Sequence, residues 1–175
     1  MDVIEIVQAK IRSIPDYPKA GIIFKDITPV LGDAEAFEAT IDALASGLDK
    51  LDIDYIAGIE SRGFIFGAPL ARKLDCGFIP IRKAGKLPWK TLKATYELEY
   101  GTAEIEIHSD CAEPGSRVVL VDDLLATGGT SAAAAGLLEQ VGAKVVAIRF
   151  LMELAFLNGR SKLDNWQVDS LIVES

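Results

Sequence analysis

The chain has 175 residues, half of them hydrophobic, and a formal net charge of −8 at neutral pH. This length can bury a sizeable core, so we expect residues 1–175 to form a single domain. The negative charge disfavours general binding to nucleic acid or to anionic membranes, whose phosphates attract positive surfaces. No apolar run approaches the roughly 20 residues of a spanning helix, so we expect an unprocessed cytoplasmic protein without a membrane partner.

The N-terminal region is predicted to contain a helix followed by a long irregular segment. Residues 2 and 5 have capping-box spacing, and an apolar stripe then predicts a helix that ends at Pro15. The stretch 15–32 is rich in proline and glycine but keeps an apolar centre, so we expect it to be ordered and functional. A helix over 33–48 and a strand over 53–59 are predicted next.

The middle of the chain carries a basic segment in an otherwise acidic protein. We predict a helix over 64–74, with Pro69 tolerable only near its start, and a buried strand over 77–81. An antiparallel hairpin is predicted from strands 96–100 and 103–107. Before it, no acid occurs between Asp75 and Glu97, whereas five cations do: Arg82, Lys83, Lys86, Lys90 and Lys93.

Such a basic run has two interpretations. It is ordinarily a solvated charged face. The presence of Gly85, Pro88 and Trp89 among the lysines favours instead a mobile lid loop over 84–95 that closes on a polyphosphate. The only histidine, His108, follows in an alternating strand pattern that indicates a structural role. Cys76 and Cys111 form no CxxC pattern, so a zinc site or disulfide framework has no support.

The C-terminal half begins with a buried strand over 118–121, which runs directly into Asp122 and Asp123. A glycine loop and a helix over 131–141 follow, and further strands are predicted over 144–151 and 168–173. This alternation predicts an α/β fold, a mostly parallel sheet flanked by helices with the antiparallel hairpin inserted.

The glycine loop has the chemistry of a phosphate site. Thr127, Gly128, Gly129 and Thr130 would turn into the helix at the carboxyl end of the strand, where backbone N–H groups, hydroxyls and the helix dipole converge. No lysine follows the glycines as in the Walker A pattern. Asp122 and Asp123 would repel phosphate, so we expect them to face sugar hydroxyls or a divalent cation. The alternative is a plain tight turn beside two solvated acids.

Four motifs along the chain, the last of them in two segments, resemble those of type I phosphoribosyltransferases. Residues 121–130 resemble the phosphoribosyl-pyrophosphate signature, in the version of members that act on adenine. Residues 15–29 resemble the base-binding segment, and 58–64 the pyrophosphate loop. Residues 82–88 and 96–101 resemble the mobile loop and the strand after it.

The resemblance implies the type I phosphoribosyltransferase fold and a function in purine salvage. The expected reaction transfers the 5-phosphoribosyl group from phosphoribosyl pyrophosphate to adenine through an oxocarbenium-like transition state, giving AMP and pyrophosphate. It further implies Mg²⁺ carried by the substrate rather than by direct metal ligands, a homodimer, and a cis peptide between Glu60 and Ser61.

The resemblance also implies a role for each candidate site residue. The assignments are Ala126, Thr127, Gly128, Gly129 and Thr130 for the 5′-phosphate; Asp122 and Asp123 for the ribose; Ser61, Arg62, Lys83 and Lys86 for the pyrophosphate, Arg62 being also catalytic; Ile23, Phe24 and Lys25 for adenine; and Glu99 for the proton.

Several of these assignments have alternatives. Glu99 can equally be a solvated strand acid like Glu97, Ile23 and Phe24 can be core residues, and Lys25 a surface charge. At the level of function, the alternatives are a phosphoribosyltransferase for hypoxanthine or xanthine and a non-catalytic regulator that senses phosphoribosyl pyrophosphate. The negative net charge and the lid lysines disfavour the regulator.

Overall fold

The computed structural model describes residues 3–98 and 101–175, and the chain forms two compact units, Met1–Leu44 and Ala45–Ser175. Asp2 of the predicted capping box and Glu99 of the predicted site lie outside the described residues. Within residues 3–98 and 101–175, no helix is long and apolar enough to cross a bilayer.

The N-terminal unit contains a two-stranded antiparallel sheet between short helices. Its elements are α1 (Val3–Lys10), β1 (Arg12–Pro15), β2 (Ile23–Asp26), α2 (Thr28–Leu31) and α3, which runs from Ala34 to Ala45. The prediction of one helix up to Pro15 was wrong, because residues 12–15 pair with β2 and place Ile14 opposite Phe24. The predicted irregular stretch 15–32 likewise contains β2 and α2. Cross-strand pairing outweighed the helical spacing of the apolar residues here.

The second unit is built on one seven-stranded sheet. Its strands are β3 (Tyr55–Ile59), β4 (Gly77–Lys83), β5 (Thr91–Glu97), β6 (Thr102–His108), β7 (Arg117–Leu125), β8 (Lys144–Leu154) and β9 (Val168–Glu174). The longer helices are α4 (Arg62–Lys73) and α5 (Gly129–Gln140), and 3₁₀ helices cover Leu48–Lys50, Ala155–Leu157 and Gly159–Leu163.

The strand order is β5-β6-β4-β3-β7-β8-β9. The five strands from β4 to β9 in this order pair in parallel, while β5 and β6 form the antiparallel hairpin. The hairpin joins the sheet where β6 pairs with the end of β4. The predicted architecture of a mostly parallel sheet with an inserted hairpin is confirmed.

The core of this unit surrounds β7, whose residues 118–121 have no solvent exposure. Both faces of such a strand must be covered, and α4 and α5 both pack on it. Buried Leu137 and Leu138 of α5 join the same apolar cluster as Leu120. This central strand therefore provides a rigid support for the residues that follow it.

Three predicted boundaries were wrong. β5 begins at Thr91 rather than residue 96, because it pairs with β6 along its whole length; only 84–90 of the predicted lid loop lacks regular structure. β7 continues to Leu125 because β8 runs beside it that far, so Asp122 and Asp123 lie within the strand. α4 begins at Arg62, which leaves Pro69 in the helix interior. There, buried Phe66 and Leu70 offset the lost hydrogen bond.

Candidate active site

The sheet topology places a candidate site at the carboxyl ends of β3 and β7. From β3 the chain crosses through α4 to β4 on one side, whereas from β7 it crosses through α5 to β8 on the other. With right-handed crossovers, the two helices then cover opposite faces of the sheet. The neighbouring strands β3 and β7 are therefore the point at which the winding reverses, where open α/β sheets bind ligands.

The predicted phosphate loop lies at this point. Ala126, Thr127 and Gly128 leave β7, and α5 begins at Gly129 with Gly128 in the left-handed conformation, at a φ of 78°. A cavity of about 80 Å³ opens beside the loop, lined by residues from Asp122 to Ser131. The α5 N-terminus carries the positive end of the helix dipole and free N–H groups, so the loop can hold a phosphate.

Asp122 and Asp123 lie next to an arginine that follows the neighbouring strand, β3. Arg62, the first residue of α4, forms an ion pair with Asp123, at 2.8 Å between Nε and Oδ2. Asp122 accepts a hydrogen bond from the Asp123 N–H at 2.9 Å. Gly63 allows this approach, because a Cβ there would lie 2.9 Å from the Val121 carbonyl oxygen. The predicted ribose and pyrophosphate residues are thus brought together here.

The electrostatics of the acid pair favour a ligand that stabilises negative charge. Burial raises the pKa of Asp122 well above its ordinary value, and the Asp123 carboxyl adds to the effect. Burial also raises the pKa of Asp123, but Arg62 opposes this increase. Sugar hydroxyls or a cation near the pair would supply the interactions that water no longer provides.

The predicted pyrophosphate loop is connected to the base of the predicted lid by Glu60. The peptide between Glu60 and Ser61 is cis, as predicted. One carboxylate oxygen of Glu60 accepts the Lys83 N–H at 2.6 Å, and the other lies 3.3 Å from an Arg82 guanidinium nitrogen. Ser61 and Lys83, two predicted pyrophosphate residues, are thereby held at the same edge of the sheet.

Glu106 holds the loop that carries Lys86. Its carboxylate accepts the N–H groups of Lys86 and Leu87 at 2.9 and 2.8 Å, and the residue is only 2% exposed. Burial alone would raise the pKa of Glu106, but the backbone N–H groups of Leu87, Gly85 and Lys86 outweigh it and lower the pKa. The loop therefore has a fixed base, while the Lys86 side chain remains exposed.

The predicted adenine residues lie in the other unit and are described there alone. Ile23 is 59% exposed, which is unusual for a core residue. The Phe24 ring packs edge-on against Tyr17, with ring centres 5.3 Å apart. Lys25 donates to the Ser13 hydroxyl at 3.3 Å.

Several residues that shape the site were not predicted from the sequence. Glu60 and Glu106 look like ordinary polar residues, and their partners are backbone groups distant in the chain. Gly159 was also missed: its backbone packs against Ala126 and Gly128, and a Cβ there would overlap the Ala126 carbonyl oxygen. No local pattern marks such a contact, because it joins segments about 30 residues apart.

The comparison with protein families defines the class of this site. The family described as phosphoribosyl transferase domain matches residues 30–173, which include the sheet, the phosphate loop and the acid pair. The chain belongs to the phosphoribosyltransferase family.

Similar proteins and solved structures are named for one base, adenine. The chain is 57% identical over 169 residues to adenine phosphoribosyltransferase from Thermoanaerobacter sp. (strain X514), covering 97% of this chain and 98% of that one. The crystal structure of adenine phosphoribosyltransferase from Thermoanaerobacter pseudethanolicus superposes with a TM-score of 0.94 at 57% identity, covering 98% of this chain and 99% of that one. The Saccharomyces cerevisiae enzyme, solved with an imino-altritol bisphosphate and adenine, gives 0.93 at 45% identity, covering 97% and 98%. The predicted type I fold is confirmed.

Asp122→Asn is expected to stabilise the protein at neutral and higher pH. The raised pKa of Asp122 means that the folded chain binds a proton more readily than the unfolded chain, so stability falls as pH rises from the ordinary value through the raised one. Asparagine keeps the oxygen that accepts the Asp123 N–H but carries no charge. We expect a gain on the order of 1–3 kcal/mol in the free energy of unfolding at pH 8, measured by urea denaturation.

The gain should shrink as the pH is lowered through the raised pKa, because the wild-type carboxyl is then neutral too. Asp110→Asn, at an exposed position, is the matched control and should change little at either pH. An equal effect of Asp122→Asn at pH 5 and pH 8 would contradict the raised pKa.

Gly159→Ala is expected to distort the phosphate loop. The added methyl group would overlap the Ala126 carbonyl, so we expect a loss of about 1–3 kcal/mol in the free energy of unfolding and weaker binding of ribose 5-phosphate by calorimetry. Gly136→Ala is the control, because a Cβ there meets open space within α5. It should stabilise the protein by about 0.5–1 kcal/mol. Unchanged sugar-phosphate affinity in Gly159→Ala would show that the contact does not shape the loop.

Proposed function

We propose that this chain catalyses purine salvage by transferring the 5-phosphoribosyl group from phosphoribosyl pyrophosphate to adenine, forming AMP and pyrophosphate. The observation that carries this conclusion is a phosphate-sized loop directly after Asp122 and Asp123, in a chain similar over 97% of its length to an adenine phosphoribosyltransferase. A generic phosphate site would not require the acids. A sugar phosphate does, because its hydroxyls need acceptors beside the phosphate.

The donor's sugar phosphate occupies the loop and the acid pair in this proposal. Residues 126–130 bind the 5′-phosphate through backbone N–H groups and the Thr127 and Thr130 hydroxyls. Asp122 and Asp123 accept hydrogen bonds from the ribose hydroxyls. The Arg62–Asp123 ion pair supports this arrangement, since it fixes one carboxylate and leaves Asp122 to respond to the ligand.

The leaving pyrophosphate is held at the neighbouring strand ends. As the bond from C1 of ribose breaks, positive charge develops on the sugar ring and negative charge on the pyrophosphate. Ser61, Arg62, Lys83 and Lys86 stabilise the leaving group, and the Glu60 contacts that organise this edge support the assignment. Mg²⁺ bound to phosphoribosyl pyrophosphate would neutralise further negative charge on its oxygens. Asp122 and Asp123 offer carboxylate oxygens compatible with a nearby Mg²⁺, but in this proposal the substrate holds the ion and the two acids bind the ribose hydroxyls.

Adenine is recognised by the N-terminal segment. A strand backbone offers both a carbonyl and an N–H, which match the exocyclic amine and a ring nitrogen of adenine, and Ile23, Phe24 and Lys25 form such a strand. Phe24 would also pack on the base. Glu99 handles the proton in this proposal. Two residues before it, Glu97 has its carbonyl oxygen 3.4 Å from the Cβ position of Gly129, so the end of β5 lies beside the phosphate loop.

Three further proposals concern the setting of the reaction. We expect a homodimer, supported by the exposed neighbours Phe156 and Leu157, which are 65% and 41% exposed. We expect a cytoplasmic location, because the charged phosphorylated substrates do not cross an apolar bilayer unaided. We also propose that residues 1–175 form a single catalytic domain.

The direct test mixes purified protein, Mg²⁺ and phosphoribosyl pyrophosphate with adenine, hypoxanthine, guanine or xanthine, and follows nucleotide and pyrophosphate together. We expect AMP and pyrophosphate in equal amounts, with adenine preferred over hypoxanthine on the order of 10⁴-fold in kcat/KM, because a site that hydrogen-bonds the amine rejects an oxygen there. Asp123→Asn keeps the side-chain size but removes the charge. It should impair use of phosphoribosyl pyrophosphate and so shows that the activity comes from this site.

Other outcomes would select the alternatives. If another nucleotide formed faster than AMP, the corresponding base, and not adenine, would be the acceptor. Tight binding of phosphoribosyl pyrophosphate without turnover on any base would favour a regulatory role over catalysis.

Closure of the lid loop can be followed with Trp89, which lies in the segment 84–90 and is 65% exposed. In Trp166→Phe it becomes the only tryptophan. We expect acrylamide quenching of its fluorescence to fall markedly on adding Mg²⁺ and phosphoribosyl pyrophosphate, because a closed lid excludes solvent from the reacting sugar.

Trp89→Phe, which retains only Trp166, should show no such change. Trp166 hydrogen-bonds Glu139 at 2.8 Å, in α5. Unchanged quenching of Trp89 with saturating donor would show that this loop does not act as a lid.

A further inference from the structure

The 3₁₀ segment Gly159–Leu163 forms part of the wall around the phosphate loop. It begins after Asn158, whose φ of 52° turns the chain, and the Ser161 hydroxyl donates to the Asn158 carbonyl at 2.8 Å. The Gly159 backbone then packs directly on Ala126 and Gly128. Any side chain carried by this segment is consequently positioned with respect to the loop.

An ion pair between buried Glu153 and the partly exposed Arg160 anchors the segment to the sheet. Arg160 donates two hydrogen bonds to the Glu153 carboxylate, one at 3.0 Å, and a third at 2.7 Å to the Val168 carbonyl of β9. Ser170 donates to the same carboxylate at 2.8 Å. Glu153 is only 5% exposed, so its charge is shielded from water and the pairing is geometrically defined. Arg160 is thus occupied by the scaffold and is not available to a ligand.

Lys162 is the cation that this anchored segment presents to the loop. Its Nζ lies 3.9 Å from the Cβ position of Gly129, the first residue of α5. Throughout residues 3–98 and 101–175, no carboxylate forms an ion pair with this ammonium group. The phosphate loop itself contains no cationic side chain, because residues 126–130 are alanine, threonine and glycine.

The position of Lys162 is unfavourable unless an anion is bound. The N-terminus of a helix carries a partial positive charge, so a lysine beside it is repelled rather than stabilised. A lysine at this place, without an ion pair among residues 3–98 and 101–175, therefore adds nothing to folding stability through the helix dipole. A doubly charged phosphate between the helix N-terminus and the ammonium would turn the repulsion into two attractions.

We propose that Lys162 is a further substrate-binding residue that pairs with the 5′-phosphate of the donor, and that Arg160 and Glu153 position it. This inference rests on the proposed function, since it uses the same phosphate loop. Lysine suits the task because it acts on phosphate as a flexible point charge and does not need a planar partner.

The experiment compares Lys162→Gln with Lys162→Arg and with Lys144→Gln. Lys144 is also exposed, but it is the first residue of β8 and so lies at the end of the parallel strands opposite to the phosphate loop. Binding of ribose 5-phosphate and of pyrophosphate is measured separately by calorimetry, and AMP formation by steady-state kinetics. The melting temperature of each variant checks that it is folded.

We expect Lys162→Gln to weaken ribose 5-phosphate binding by about tenfold, as for the loss of a charge-assisted hydrogen bond, with pyrophosphate affinity unchanged. The KM for phosphoribosyl pyrophosphate should rise by a similar factor while kcat stays close to wild type, because the 5′-phosphate is held equally in the ground and transition states. Lys162→Arg should restore most of the affinity, and Lys144→Gln should behave as wild type.

Three results would overturn the inference. If wild type forms AMP and Lys162→Gln binds ribose 5-phosphate as tightly as wild type, the role of Lys162 is wrong while the proposed function stands. The same conclusion holds if Lys162→Gln weakens ribose 5-phosphate and pyrophosphate equally, since that indicates only a general charge effect. If wild type neither binds ribose 5-phosphate nor forms AMP, the proposed function fails along with the inference.

Discussion

The pair of acids Asp122 and Asp123, near the end of β7, is the constraint on which the rest of the site depends. Burial raises the pKa of both carboxyls, so the folded chain holds them at a cost in stability. The cost is tolerated because β7 is anchored on both sides by β3 and β8, and its residues 118–121 are completely buried. Arg62 offsets part of the charge from the neighbouring loop, and Gly63 lets that loop approach closely enough to do so.

Other acids organise the surroundings of this pair. Glu60 and Glu106 accept backbone N–H groups from the segment that carries Lys83 and Lys86, and Glu153 binds the arginine of the segment beside the phosphate loop. Each carboxylate thus fixes a loop through directed hydrogen bonds rather than through apolar packing. In consequence, part of the chain's acidic excess belongs to the scaffold, while the side chains of Lys83, Lys86 and Lys162 remain exposed.

The fold was largely predictable from local patterns, and the same patterns predict the donor site. The uninterrupted apolar strand over 118–121, the two acids and the Thr-Gly-Gly-Thr loop occupy consecutive positions, so their order alone indicates a phosphate site at a strand end. Boundaries were less predictable, because strands extend as far as their neighbours allow. β8 carries β7 on to Leu125, and β6 carries β5 back to Thr91. The N-terminal helix was overextended for the same reason, since pairing with β2 draws residues 12–15 into a strand.

The sequence by itself determined the class of fold, the expectation of a phosphate loop and the resemblance to phosphoribosyltransferases. Each of these depends on residues that are close together in the chain. Only the tertiary structure decided which side chains surround the loop. The Arg62–Asp123 ion pair joins residues about 60 positions apart, the Glu60 carboxylate meets Lys83, and Gly159 and Lys162 reach the loop from beyond β8. Such contacts depend on the order of strands in the sheet and on close backbone approach, which no local sequence pattern encodes.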